Sequence, residues 1–333
     1  MRVLVVGLGL IGKQRARALL AHREAKLVGT VDPIVGSSWV DVPHHETLSD
    51  VPAGSFDAAI VAVPHDVAAS LAQRVLAQGK PVLIEKPLGT DRHTTQALVT
   101  AARQASLPCF VGYNYRFIEH VRRALDEAQR GQLGRLRSVD LFLGHGGSPN
   151  SAKGWKLDPA RAGGGALIDP GVHLLDLALC LEPRLGLDAV RATRGFWDTG
   201  IEEDVSLILS HAEVLVSVRV SLLRWVNTFR VEIVGDEGYA LLEGRGGNYG
   251  PLVLRRGKRW GWNDGRGLSQ RESEQVDDFG TQDDSLAREL DAVLAAWQGK
   301  EQPDTIRSAS FEEAAKVAEL CEAAYQRLGE TSG

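Results

Sequence analysis

Val3-Leu4-Val5-Val6 runs without a break into Gly7-Leu8-Gly9-Leu10-Ile11-Gly12, and Gln14 to His22 then reads as a helix rich in Ala, Leu and Arg. A buried strand, a glycine turn and a helix, in that order, leave few folds open to the rest of the chain. Gly7 permits the tight turn, Gly9 lets the main chain approach a pyrophosphate, and Gly12 lets helix and strand pack closely. The helix head, through Leu10 and Ile11, offers N–H groups that have no acceptor within the helix and suit phosphate oxygens.

A second strand, Lys26 to Val31, ends in Asp32, about twenty residues past Gly12. A carboxylate there accepts hydrogen bonds from ribose hydroxyls and repels a 2′-phosphate. The combination predicts a dinucleotide-binding unit that takes NAD. NADP stays open, because Lys13 and Arg15 are nearby cations.

The pattern then repeats. Asp57 to Val63 is a strand ending at Pro64-His65, Val67 to Gln78 has helical periodicity, and Pro81 to Ile84 is the next strand. Asp91 to Ala105 follows as a helix, with Thr90 or Asp91 as its N-cap, and Pro108 to Gly112 as a fifth strand. Strands alternating with helices of this length predict a doubly wound parallel sheet. In such sheets ligands lie at the carboxyl ends of strands. Val63, Pro64 and His65 therefore fall near the nicotinamide side, where His65 reads either as a cofactor-lining group or as a polar loop histidine. Glu85-Lys86-Pro87 arrives at the same edge. Lys86 would stand where cofactor and substrate meet, unless it is a surface lysine before a turn.

Beyond Phe117 to Arg130, an amphipathic helix closed by Gly131 and Gly134, the alternation stops. Strands follow one another at Leu136 to Leu143, Ala189 to Phe196, Val205 to Ser210, Leu215 to Leu222, Arg230 to Val234, Tyr239 to Glu243 and Leu252 to Arg255. That succession predicts an α+β domain with a mostly antiparallel sheet. The boundary is placed at 117, giving a nucleotide domain 1–117 and a substrate and oligomerisation domain 118–333. Gly261 to Gly280 reads as a long polar loop, and Asp284 to Trp297 and Ser310 to Leu328 as helices.

One stretch of the second half does not look like scaffolding: Gly163-Gly164-Gly165-Ala166-Leu167-Ile168-Asp169-Pro170-Gly171-Val172-His173-Leu174-Leu175-Asp176. Read as a helix, it puts Asp169, His173 and Asp176 on one face beside an apolar run that must be buried. Read from Pro170, Asp169 caps the helix instead. Both placements leave Asp169 near His173. A second histidine at helical spacing is missing, so no metal set is expected.

The bulk properties set bounds. At 333 residues the chain exceeds one ordinary core. A formal net charge of -5 argues against nucleic-acid or anionic-membrane partners. Cys109, Cys180 and Cys321 have neither metal-ligand nor disulfide spacing, which fits buried thiols in a reducing compartment. Neither a membrane-spanning stretch nor a secretory leader is expected, and the expected location is cytoplasmic.

The order Gly7-x-Gly9-x-x-Gly12, Glu85-Lys86-Pro87 and Asp169-x-Gly171-x-His173-x-x-Asp176 resembles the Gfo/Idh/MocA oxidoreductase family over nearly the whole chain. The resemblance implies a Rossmann domain followed by an open, mostly antiparallel sheet that mediates homodimers or homotetramers. It also implies a cis Lys86-Pro87 bond and a last helix packed back on the nucleotide domain. By the same resemblance Lys86, Asp169 and His173 flank the nicotinamide as catalytic groups, with Glu85 and Lys86 at the cofactor. Proton abstraction suits a neutral His173, while Lys86 suits stabilisation of an alkoxide, and which of them carries the proton stays open.

Asn114, Tyr115, Arg116, Trp155 and Lys156 are expected around a small-molecule sugar, cyclitol or sugar-derivative substrate. Arg116, Lys153, Lys156 and Arg161 would suit a charged sugar, and Arg224 to Gly250 resembles members tied to sugar nucleotides. The function implied is an NAD(P)-dependent dehydrogenase or reductase acting on a secondary hydroxyl or ketone. An NAD-dependent glycoside hydrolase and a non-catalytic dinucleotide-binding regulator are the alternatives.

Overall fold

The computed structural model describes residues 1–34, 40–146, 154–246, 250–258, 274–278, 280, 283–300 and 306–330. The chain forms two compact units. The first comprises Met1–Asn114, Ala160–Gly163 and Asp284–Glu319, and the second Tyr115–Pro159, Gly164–Asp283 and Leu320–Gly333.

In the first unit, β1 (Arg2–Val6), β2 (Lys26–Val31), β4 (Ala58–Val61), β5 (Val82–Glu85) and β6 (Phe110–Gly112) are mutually parallel, with the two-residue β3 (His44–His45) outside β2. The order β15-β6-β5-β4-β1-β2-β3 reverses direction of progress at β1, and β15 (Ala309–Ser310) adds antiparallel to β6. Short β-branched and aliphatic runs, buried on both faces, form these strands because α1 (Leu10–Ala21), α2 (His65–Leu76) and α3 (Arg92–Ala105) supply the crossovers. Asp91 caps α3, accepting the Thr94 N–H at 2.8 Å. Val3, Val5, Leu8, Ala16, Leu19, Ile60 and Leu83 share one core with Leu290, Val293 and Leu294 of α7 (Ser285–Trp297). The nucleotide unit is thus completed by residues from near the end of the chain.

In the second unit, eight strands run in the order β14-β13-β12-β11-β7-β10-β9-β8. They are β7 (Leu136–Gly144), β8 (Gly186–Thr193), β9 (Asp204–His211), β10 (Val214–Ser221), β11 (Thr228–Gly235), β12 (Gly238–Gly244), β13 (Leu252–Lys258) and β14 (Gln275–Asp278). Only the β7–β10 pair is parallel among these. Alternation does the sorting: Val205, Leu207 and Leu209 of β9 and Val216, Val218 and Val220 of β10 face inward. α4 (Glu119–Gln129) and α6 (Val172–Leu181) cover that face. The helix α8 (Phe311–Glu330) closes the chain.

Three expectations change. The helix expected from Phe117 is a 3-10 turn at Asn114–Phe117 and then α4, because Ile118 is extended between them. Within the expected loop Gly261 to Gly280, Gln275–Asp278 forms the edge strand β14, held by main-chain pairing to β13 despite a polar sequence; residues 261–273 and 279 lie outside the described set. Pro159–Leu181 has the length and hydropathy of a membrane span, which the sequence reading did not expect. That window is 72% buried inside the protein, and Asp169 breaks the helix with a non-helical φ of -143°.

Candidate active site

The candidate residues fall in both units, and each group is built within its own. In the first, the glycine turn is shaped by close approach. Gly7 has a φ of +95°, and a Cβ there would lie 2.2 Å from the Ala62 carbonyl oxygen and 2.7 Å from Val63 Cγ1. A Cβ at Gly12 would lie 1.9 Å from the Gly7 oxygen. Both positions exclude any larger residue. The Cβ direction of Gly9 meets nothing within 4 Å, so the turn presents an open side at the head of α1. Gly9 is the N-cap of α1 with no side-chain cap, and Leu10 is 77% exposed beside it. An uncapped helix head over open space is what a pyrophosphate requires.

Asp32 follows β2, its Oδ2 accepting the Leu8 N–H at 2.7 Å and its Oδ1 the Ile34 N–H at 2.9 Å. The carboxylate is therefore anchored next to the turn. Val63 and Pro64 are half-buried after β4. His65 is buried at the start of α2, where its Nδ1 lies 2.9 Å from the Ala162 oxygen. A carbonyl can only accept, so His65 carries its proton on Nδ1. Glu85 ends β5 and Lys86 follows it, half-buried, with a cis bond to Pro87 as the resemblance implied.

Glu85 faces a partner that sequence reasoning did not supply. Arg15 of α1 donates to Glu85 Oε1 from Nε at 2.8 Å and lies 2.7 Å from it through Nη2. The same Nη2 is 2.5 Å from Glu289 Oε2 on α7, and the Arg15 and Glu289 side chains are both 0% exposed. Arg15, considered as a cation for a 2′-phosphate, is buried in this triad. Asn114 donates its amide to Ser285 Oγ at 2.8 Å, and Arg161 Nε pairs with Asp66 at 3.1 Å.

In the second unit, Asp169 does not share a helical face with His173. It lies in a kinked π turn, Leu167–Gly171, with a cis Asp169–Pro170 bond, and α6 begins at Val172. His173 is the second residue of α6 and 5% exposed. Its ring stacks on Tyr115 at 4.0 Å between centroids and 9° between planes. Tyr115 in turn meets the edge of Phe229 on β11, centroids 5.6 Å apart. Asp169 Oδ2 pairs with Lys156 Nζ at 2.6 Å, and that ammonium lies 6.0 Å from the centroid of half-buried Trp155. Arg116 is 3% exposed and grips Asp176 with two bonds, Nε to Oδ2 at 2.7 Å and Nη2 to Oδ1 at 2.6 Å. Asp176, one turn past His173, is thereby committed to an internal ion pair. Lys153 and 247–249 lie outside the described residues.

Other groups of this unit went unread. His145 follows β7; burial holds its imidazole below the usual value, while Asp169 pulls it up and Lys156 pushes it down. An ionisable residue just past a strand's end was the available signal. Glu202, 2% exposed, accepts main-chain N–H groups of Gly165 at 2.8 Å and Leu167 at 3.1 Å. Its neighbour Glu203 accepts those of Phe196 at 2.9 Å and Trp197 at 2.6 Å.

An uncapped glycine turn at a helix head and an anchored acid at the end of the second strand, on a doubly wound sheet, define a dinucleotide-binding Rossmann unit. Residues 1–113 match the oxidoreductase family with an NAD-binding Rossmann fold, and residues 119–241 match the Gfo/Idh/MocA C-terminal domain. The chain belongs to the Gfo/Idh/MocA oxidoreductase family. It is 26% identical to inositol 2-dehydrogenase of Rhizobium meliloti (strain 1021) over 72% of this chain and 74% of that one. It is 35% identical to a putative UDP-kanosamine synthase oxidoreductase subunit of Amycolatopsis mediterranei (strain S699), over 55% of this chain and 52% of that one. The crystal structure of GenD2 from gentamicin A biosynthesis in complex with NAD shares the fold, with a TM-score of 0.78 at 24% identity over 98% and 93% of the two chains. These relatives bear out an NAD(P)-dependent oxidoreductase over the hydrolase and regulator alternatives.

Proposed function

We propose that the protein moves a hydride between NAD and a secondary hydroxyl or ketone of a sugar, cyclitol or sugar derivative, sugar nucleotides included, with Lys86, Asp169 and His173 as catalytic residues. The nicotinamide supplies the hydride donor or acceptor. The chain's residues do the rest. The α1 head and Gly9 hold the pyrophosphate, Asp32 takes the ribose hydroxyls, and Val63, Pro64 and His65 line the nicotinamide end. His173 takes the hydroxyl proton on oxidation and returns it on reduction. The Lys86 ammonium stabilises negative charge developing on the substrate oxygen. Asp169 orients the hydroxyl, and Lys156 and Trp155 form a polar rim for the sugar.

The observation that carries this reading is the His173 ring, buried and stacked flat on Tyr115. A buried imidazole held in one plane is poised for proton transfer in a fixed direction. Arg116 and Glu85 act behind this set: their charges meet Asp176 and Arg15 and hold the elements that carry His173 and Lys86. Asn114 and Tyr115 border the substrate. The protein works as a homodimer or homotetramer through its eight-stranded sheet, in the cytoplasm. The diagonal pair Ile208 and Leu215, exposed on neighbouring strands β9 and β10, supports the assembly.

The test is a panel of sugars and cyclitols with NAD and NADP, read at the reduced-nicotinamide band. Lys86→Ala and His173→Ala are expected to lose turnover by about a thousandfold or more while NAD affinity, measured by calorimetry, stays within a few-fold. Full activity in both variants refutes the assignment.

A further inference from the structure

The run Gly163-Gly164-Gly165 has no part in the chemistry above, yet two of its glycines are obligatory for a reason visible in the fold. A Cβ at Gly164, where φ is +157°, would lie 2.0 Å from the Tyr325 hydroxyl and 2.8 Å from Ile168 Cγ1. A Cβ at Gly165 would lie 2.2 Å from the Glu202 carbonyl oxygen. The main chain is bare here so that Tyr325 of α8 and Glu202 can press against it. One carboxylate oxygen, Glu202 Oε1, collects three donors: Gly165 N–H at 2.8 Å, Leu167 N–H at 3.1 Å and the Tyr325 hydroxyl at 2.7 Å. The Glu202 main-chain oxygen takes a fourth, the Ala166 N–H at 2.9 Å.

The pinned segment leads directly to the candidate chemistry. Gly165 O accepts the Asp169 N–H at 2.9 Å, and Ala166 O accepts the Gly171 N–H at 2.8 Å, immediately before α6 and His173. Glycine-rich backbone is the costliest to order, so a turn built of it holds a side chain in place only when something else restrains it. Charge-assisted bonds to a buried carboxylate are well suited to that task. Burial, then the nearby Glu202 charge, push the Tyr325 phenol far above its ordinary value, so its hydroxyl remains a donor at every working pH. Glycine in the run and tyrosine in the last helix are therefore two halves of one device.

We propose that Glu202 and Tyr325 are positioning residues for the reaction, bracing the Gly165–Gly171 turn so that Asp169 and His173 are presented in one geometry. The proposal rests on the assignment of those two residues as catalytic. It makes the final helix part of the working enzyme rather than a lid on the core.

Hydrogen exchange on the NAD-loaded enzyme and steady-state kinetics on the best substrate of the sugar and cyclitol panel test it together. Tyr325→Phe is expected to speed exchange of the Gly165, Leu167, Asp169 and Gly171 amides by about tenfold or more. It should lower kcat by about tenfold to a hundredfold with KM for NAD unchanged. Glu202→Gln, which keeps an acceptor oxygen, should retain most of the protection and rate that Glu202→Ala loses. If Glu202→Ala does not fold, Tyr325→Phe decides the matter alone. Unchanged exchange in Tyr325→Phe overturns the proposal, as does faster exchange with an unaltered kcat. An inactive His173→Ala beside a fully active Tyr325→Phe overturns the positioning role only. A fully active His173→Ala overturns the catalytic assignment and the positioning role with it.

Discussion

Both oxygens of the Asp32 carboxylate accept main-chain N–H groups, from Leu8 and Ile34, so the charge is held at a fixed place beside the glycine turn. A fixed charge discriminates better than a swinging one, because a 2′-phosphate cannot displace it without breaking two hydrogen bonds. Asp32→Asn keeps an oxygen for the Leu8 N–H and removes the charge. The ratio of kcat/KM for NADP over NAD should rise by about tenfold or more, equivalent to about 1.4 kcal/mol of relieved repulsion. An unchanged ratio in coenzyme titrations would count against Asp32 as the selector. Asp32 was legible because its distance from the turn is a local, strand-set spacing. Arg15 was not: its partners Glu85 and Glu289 are remote in sequence, and its own helix gives no sign that it points inward. Glu202 was equally silent, since a carboxylate that caps main-chain donors looks like any solvated acid until the turn it caps is in view.

Among the elements, the Arg15 triad ties α1, β5 and α7 together, with the Arg15 and Glu289 side chains wholly buried and Glu85 partly so. Arg15→Ala removes the cation that buried Glu289 and half-buried Glu85 share. Its expected cost, by denaturant unfolding, is about 3–5 kcal/mol. Arg15→Met with Glu289→Leu, which removes opposite charges together, should recover part of that loss, and a double variant no better than the single would contradict the coupling. Most strands were legible because aliphatic alternation in β9, β10 and β11 states which face is inward. The strand β14 was not, for Gln275-Val276-Asp277-Asp278 is drawn into the sheet by main-chain pairing to β13 and by an Arg256–Asp277 ion pair, neither of which shows in its polar sequence. Asp169 was half legible: Pro170 announced a break in the helix, but not the π turn and cis Asp169–Pro170 bond that precede α6.

At the scale of the molecule, the exposed diagonal of Ile208 and Leu215 is the place to perturb self-association. Sedimentation at micromolar concentration should show a dimer or tetramer, and Leu215→Glu should shift it toward smaller species without altering the far-ultraviolet spectrum. A native protein that sediments as a monomer would oppose the assembly. The division of the chain carries a different lesson. Asp284–Glu319 belongs to the nucleotide unit, and its Leu290, Val293 and Leu294 complete the core beneath the glycine turn. Multidomain chains ordinarily fold their leading domain first as it leaves the ribosome. Here the leading domain is discontinuous: Arg15 and the glycine turn come first, whereas Glu289 and the core residues of α7 follow only after the strands of the second unit have been made.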